Sequence, residues 1–209
     1  KRIYSGLSEE VIEALSKERL ETFRINPLKI SEEEAVRVLC DAGIEVSRGP
    51  FKYSYINESS KAGLKVSRTN LFETGKVYVQ GLSSMMVVDV LKPSPRDEIL
   101  DLCASPGSKT GYLASLTGEP RKICAVENNS SRFYSMKRNL FVQGYREVET
   151  IRTDTTMLPK IRPHLLGHFD KIVANVPCSN EGTIRLFNGD ALKTWNPKLP
   201  KKIRNLQKR

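Results

Sequence analysis

Histidine and tryptophan are almost missing from this chain: its 209 residues include two His and one Trp. Cysteine is sparse as well, with four residues (Cys40, Cys103, Cys124 and Cys178) and no Cys-x-x-Cys pair. These shortages argue against a zinc site and suggest no disulfide framework, which fits a reducing intracellular setting. No apolar run approaches the roughly 20 residues of a membrane helix, and no secretory leader is visible. The chain opens at Lys1 without Met, which reads as a processed product or the ordered part of something longer. Neither the P-loop spacing nor Gly-x-Gly-x-x-Gly occurs, and there is no internal repeat or low-complexity segment. Acidic residues are also in short supply: 24 Asp+Glu against 34 Lys+Arg leave a formal charge of +10. That surplus favours a polyanionic partner, with RNA the obvious one, although a basic surface can also be simply soluble.

The 39% hydrophobic content is enough for a core, and the length suits one large domain or two small ones. Val11, Ile12, Leu15, Leu20 and Phe23 predict a helix over residues 8–23. Residues 24–30 read as extended. Ser31 followed by Glu34 is a capping-box signature for a helix through Cys40, ending near Gly43. Strands are predicted at Ile44–Val46 and Tyr53–Ile56. This order implies a small α+β module over residues 1–75. Beyond Gly75 the pattern becomes alternating β and α, with a helix from Gly81 to Leu91. Strands follow near 98–103, 122–127, 148–153 and 169–176, with helices at about 109–117 and 130–143. Such alternation predicts a parallel, doubly wound sheet over residues 76–209.

Two strand ends carry chemistry. The first is Asp101-Leu102-Cys103-Ala104-Ser105-Pro106-Gly107-Ser108-Lys109-Thr110, which reads as strand, tight turn and helix N-terminus. Pro fixes φ, Gly leaves room for a ligand, and the helix start favours an anionic group. In open α/β sheets ligands bind outside the carboxyl ends of the strands. The second is Asn175-Val176-Pro177-Cys178-Ser179, after the strand Phe169–Ala174. A Pro-Cys pair there is an odd place for a structural cysteine.

Together with Tyr78-Val79-Gln80-Gly81-Leu82-Ser83-Ser84-Met85 and Val-Pro-Cys-Ser-Asn-Glu-Gly-Thr-Ile-Arg, these segments resemble the Nop/Sun family of RNA 5-methylcytosine methyltransferases. The resemblance runs from Arg24-Ile25-Asn26 to the last residues. It implies a Rossmann-like class I methyltransferase sheet, S-adenosylmethionine as cofactor, and ribosomal or transfer RNA as substrate. Cys103, Ala104, Ser105, Pro106, Gly107 and Lys109 would seat the methionine end, although Lys109 could also be a solvated first-turn lysine. Glu127 would take the ribose diol, Arg132 matches a position beside the cofactor, and Asp154 suits the adenine amino group or a simple helix cap. Asn175 would face both the cofactor and the base. Arg24 and Asn26 match an Arg-x-Asn signature in a module that helps hold RNA, and Arg185 and Trp195 match the substrate side. A structural Arg24 is the plain alternative.

The chemistry needs a thiolate at carbon 6 of cytosine, because carbon 5 is a poor nucleophile. In the resembled family the nucleophile lies in a later Thr-Cys motif, and the Pro-Cys cysteine assists product release. This sequence has no Thr-Cys motif, has Asn175 in place of Asp, and has Asn180 where Gly is usual. Cys178 therefore has three readings: release cysteine, nucleophile, or vestige in a non-catalytic RNA-binding relative. Amino-group methylation is a weaker reading, from the partial likeness of Asn-Val-Pro-Cys to Asn-Pro-Pro-[Tyr/Phe]. Cys103 and Cys124 read as core cysteines. The resembled sheet has seven strands and four are found here, so about three strands, roughly 80–100 residues, are expected elsewhere. The open edge would call for a partner chain or oligomer.

Overall fold

The computed structural model describes residues 6, 8–17, 19–179, 196 and 198–208. They fall into two compact units: one is Leu20–Asn175, and the other draws on the described parts of residues 1–19 and 176–209. The smaller unit contains helix α1 (Ser8–Ser16) and, at its far end, a basic helix, Leu199–Gln207. The predicted helix over 8–23 thus stops at Ser16, and Leu20 and Phe23 belong to the larger unit.

That unit holds two sheets. The first is antiparallel, in the order β2-β3-β1-β4, with β1 Glu21–Ile25, β2 Val46–Arg48, β3 Ser54–Asn57 and β4 Val77–Val79. Helices α2 (Glu32–Asp41) and α3 (Asn70–Glu73) complete the module. Ser31 caps α2 as its sequence predicts, accepting from the Glu34 N–H at 3.1 Å. Phe23, Ile25, Ala35, Leu39, Tyr55, Val66 and Val77 form its core. The module's sheet runs past residue 75, because β4 at 77–79 is its outer strand.

The second sheet is parallel, in the order β7-β6-β5-β8: β5 Ile99–Leu102, β6 Ile123–Val126, β7 Glu149–Ile151 and β8 Lys171–Ala174. Helix α4 (Leu82–Leu91) precedes it, α5 (Ser108–Thr117) and α6 (Ser130–Gln143) make the crossovers, and the short α7 (Leu158–Ile161) leads towards β8; the basic helix of the smaller unit is α8. Alternation along the strands sorts two apolar layers. Ile99, Ile123 and Ala125 pack with Met85, Tyr112, Leu113 and Met136 from the helices. Leu100, Cys124, Val126 and Ile151 face the other way, with Leu158. The central strands β5 and β6 are buried on both faces, as a covered parallel sheet requires, whereas Glu149 of β7 and Ile172 and Ala174 of β8 are exposed. The outward edge of β8 pairs with no strand among the described residues. No described helix is long and apolar enough to cross a membrane.

Candidate functional site

Strand order places the site. β6 and β7 lie to one side of β5 and β8 to the other, so the crossover direction reverses between β5 and β8. A crevice forms at such a switch point, outside the carboxyl ends of the strands. Leu102 pairs with Ala174 and with Val126, and Val126 pairs with Ile151. Register therefore sets Cys103, Glu127 and Asn175 in one row just beyond the strands, with Asp154 three residues past β7.

The loop after β5 is held rather than draped. Ala104 N–H donates to Val126 O at 2.9 Å and Gly107 N–H to Ala104 O at 2.7 Å. Gly107 has φ +91°, and a Cβ there would lie 3.3 Å from Met136 Cγ; only glycine suits both conditions. The Ser105–Pro106 peptide is cis. From the side, α6 braces the loop. Arg132 Nη2 donates to Ser105 O at 3.1 Å, Ser105 Oγ donates to Arg132 O at 2.8 Å, and Asn139 Nδ2 donates to Pro106 O at 2.9 Å. Arg132 also reaches Glu127, Nε to Oε2 at 3.5 Å.

The carboxylates are individually positioned. Glu127 is buried and accepts from Asn129 N–H at 2.9 Å. Asp154 caps the turn that follows it, accepting from Thr156 N–H at 3.0 Å and Thr156 Oγ1 at 2.7 Å. Asp101, which the sequence reading passed over, is fully buried. Thr110 Oγ1 donates to its Oδ2 at 2.7 Å, while Oδ1 is buried without a hydrogen-bond partner. Burial pushes its pKa up to about 6, against the hydrogen bond from Thr110 and the pull of Lys109. An orphaned carboxylate oxygen under the loop calls for a cationic or N–H-bearing ligand. The signal in the sequence was an acid between Leu100 and Leu102 in a strand with two buried faces. Lys109, half-buried, has its pKa lowered by desolvation, with Asp101 acting in the opposite sense. The Cys103 thiol is pushed up by burial, then by Glu127 and Asp101, and Cys124 is pushed up to about 12 by burial. Neither is a thiolate at neutral pH. Asn175 is exposed at the end of β8.

Two expected RNA contacts are corrected. Arg24 and Asn26 have no exposed surface. Arg24 donates from Nε to Gln80 Oε1 (3.1 Å), from Nη1 to Ser115 Oγ (2.9 Å) and from Nη2 to Gln143 Oε1. Its guanidinium lies over Tyr78 and Tyr112, at 5.0 and 5.8 Å from the ring centroids. Asn26 donates to Gly75 O and Gln143 O at 2.9 and 2.7 Å and accepts from Tyr145 OH at 2.7 Å. These side chains join β1 to α5 and α6, and their complete burial leaves no surface for a phosphate to reach. Cys178 belongs to the smaller unit and is exposed. Arg185 and Trp195 lie outside the described residues.

The residues present fit S-adenosylmethionine: an orphaned anionic oxygen for an ammonium, a braced loop with a helix N-terminus for a carboxylate, and strand-end carboxylates for a diol and an amino group. Comparison with known proteins points the same way. Residues 88–209 match the family described as 16S rRNA methyltransferase RsmB/F. A mouse 28S rRNA (cytosine-C(5))-methyltransferase is 30% identical over 84% of this chain and 22% of its own length. The ribosomal RNA small subunit methyltransferase F of Vibrio parahaemolyticus is 30% identical over 96% of this chain and 42% of its own. The chain thus spans about a fifth of the first relative and two fifths of the second. The solved structure of NSun6 from Pyrococcus horikoshii with SFG shares the fold, with TM-score 0.79 and 20% identity over 99% of this chain and 76% of that one. With more than half of its length matched, and with the Nop/Sun motifs at the ends of its parallel strands, this chain belongs to the RsmB/F family of rRNA methyltransferases.

Proposed function

We propose that this chain is the cofactor-binding core of an enzyme that methylates carbon 5 of a cytosine in rRNA. The observation that carries the reading is the buried, unpartnered Asp101 oxygen beneath a loop pinned by Arg132 and Asn139, within a chain of the rRNA methyltransferase family. Bound there, S-adenosylmethionine supplies an electrophilic methyl group on a sulfonium. Asp101 and Lys109 would hold the two ends of its amino acid, Glu127 the ribose hydroxyls and Asp154 the adenine amino group. Arg132 keeps Glu127 and the loop in place.

On the substrate side, Asn175 would hydrogen-bond the base; an amide can do so, although it cannot carry a proton as an Asp can. Cys178 is proposed as the cysteine that assists product release. The module built on β1–β4 is proposed to aid RNA placement through residues other than Arg24 and Asn26, and the open edge of β8 to be covered by a partner or a second copy.

Calorimetric titration of this chain with S-adenosylmethionine tests the reading, with Glu127→Ala as control. Micromolar binding that weakens ten-fold or more in the variant is expected. No heat from a folded wild-type chain would overturn the assignment of the pocket.

A further inference from the structure

We propose that the solvent face of α6 is a docking strip for single-stranded RNA, a use that rests on the rRNA reading above and extends it to a named surface. The helix has two unlike sides. Phe133, Met136 and Leu140 enter the core. On an adjoining, solvent-facing side Tyr134, Lys137, Arg138 and Phe141 follow one another at intervals of three, one and three residues, which sets them along one face; Tyr134 meets the edge of Phe133 and Lys137 lies over it, at 5.5 and 5.8 Å. Tyr134 is 61% and Phe141 56% exposed, unusually open for large rings.

Cations are interleaved with these rings. Arg152 joins the first turn of α6, with Nη1 donating to Ser130 Oγ at 3.0 Å. Arg146, just beyond the helix, lies over the Phe141 ring at 4.1 Å from its centroid. The helix carries no Asp or Glu. Of the three acids nearby in sequence, Glu127 is buried and held by Arg132 at 3.5 Å, Glu147 is paired with Arg121 at 2.5 Å, and Glu149 exerts its charge on Cys124, which belongs to the apolar layer on the far side of the sheet.

Exposed rings spaced by cations match a strand whose bases offer π-faces and whose backbone repeats a negative charge. An acidic peptide would satisfy the cations and leave the rings without a purpose. Tyr134 and Phe141 stand seven residues apart, about 10 Å along the axis, so two bases of one strand can each take a ring. The loop that α6 braces through Arg132 and Asn139 lies beside the same helix, so RNA held on the strip is anchored close to the cofactor.

Fluorescence anisotropy of a labelled single-stranded RNA of about 12 nucleotides, within the usual site sizes, tests the strip on the full chain. Tyr134→Ala with Phe141→Ala should weaken binding about ten-fold or more. Lys137→Gln with Arg138→Gln should lower the slope of log affinity against log salt by about 1.4. Unchanged melting temperature and S-adenosylhomocysteine binding would show that both variants are folded. Wild-type RNA binding with both variants unaltered would refute the strip and leave the rRNA reading standing. No RNA binding by the wild type would sink both. Variants that keep RNA but lose self-association in the ultracentrifuge would reassign the face to protein and refute the proposal.

Discussion

Arg24 on β1 donates to Gln143 at the end of α6, joining residues 119 positions apart. The bond sits in a buried cluster with Gln80, Ser115, Asn26 and Tyr145, in which the cation faces neutral acceptors and tyrosine rings. Desolvation lowers the pKa of Arg24 and the neighbouring tyrosines, Tyr145 first, raise it. The cluster acts as a polar bolt between the antiparallel sheet and the helices of the parallel one.

Removing the bolt should be costly. Arg24→Ala strands several buried acceptors and should lose about 3–5 kcal/mol of unfolding free energy. Arg24→Lys should recover only part, since an ammonium cannot reproduce the guanidinium fork. Urea titrations followed by circular dichroism measure both; an Arg24→Ala chain within 1 kcal/mol of wild type would contradict the role.

Gly111 should behave against helix propensity. Replacing a mid-helix Gly by Ala usually gains about 1 kcal/mol. Here a Cβ would lie 2.6 Å from both Arg24 Nη2 and Gln143 Oε1, side-chain ends that the buried cluster holds fast. Gly111→Ala should therefore destabilise by about 1–3 kcal/mol. A higher melting temperature would show that the cluster yields freely.

Asp101 should imprint a pH dependence on stability. Its folded pKa of about 6 stands above the ordinary aspartate value of 3.8. Its contribution is thus fully present below about 3.8 and is lost as pH rises through about 6. The difference is about 2 units, or on the order of 2–3 kcal/mol. Unfolding free energies of wild type and Asp101→Asn, measured between about pH 4 and 8, should converge or cross along that window. Parallel curves would mean that Asp101 titrates normally. Ligand that pairs with Asp101 as carboxylate should bind more tightly above about pH 6.

Cysteine labelling separates the thiols. Cys124 is buried with its pKa pushed up to about 12, and Cys103 is raised by burial and nearby acids, whereas Cys40 and Cys178 are exposed. Iodoacetamide at neutral pH, read by peptide mass spectrometry, should label Cys40 and Cys178 first and leave Cys124 intact in the native chain. Early labelling of Cys124 would mean the sheet opens locally.

The parallel sheet was legible chiefly through β5 and β6, which are buried on both faces and so read as short apolar runs between turn residues. The Ser31 cap and the loop after β5 were equally plain, being local chemistry. β1 was not: Leu20 and Phe23 happened to continue the helical spacing of α1, and only pairing with β3 and β4 makes 21–25 a strand. Arg24 and Asn26 were expected to be RNA contacts from the Arg-x-Asn signature of the resembled family, and nothing local in the sequence marks their partner Gln143, 119 and 117 positions away. Asp101 was passed over for a related reason. Its significance lies in an oxygen left unpaired by the surrounding packing, and packing is a property of the assembled core.

The reach from Arg24 to Gln143 also has a meaning in time. During synthesis β1 emerges well before α6, and at about 5–20 residues per second the 119 positions between them take on the order of ten seconds. Once β4 has followed, the first sheet can pair its own strands, yet its guanidinium still waits for Ser115, 91 positions after it, and then for Gln143. The nascent module must keep that cation hydrated and postpone its final closure until the second half of the unit arrives.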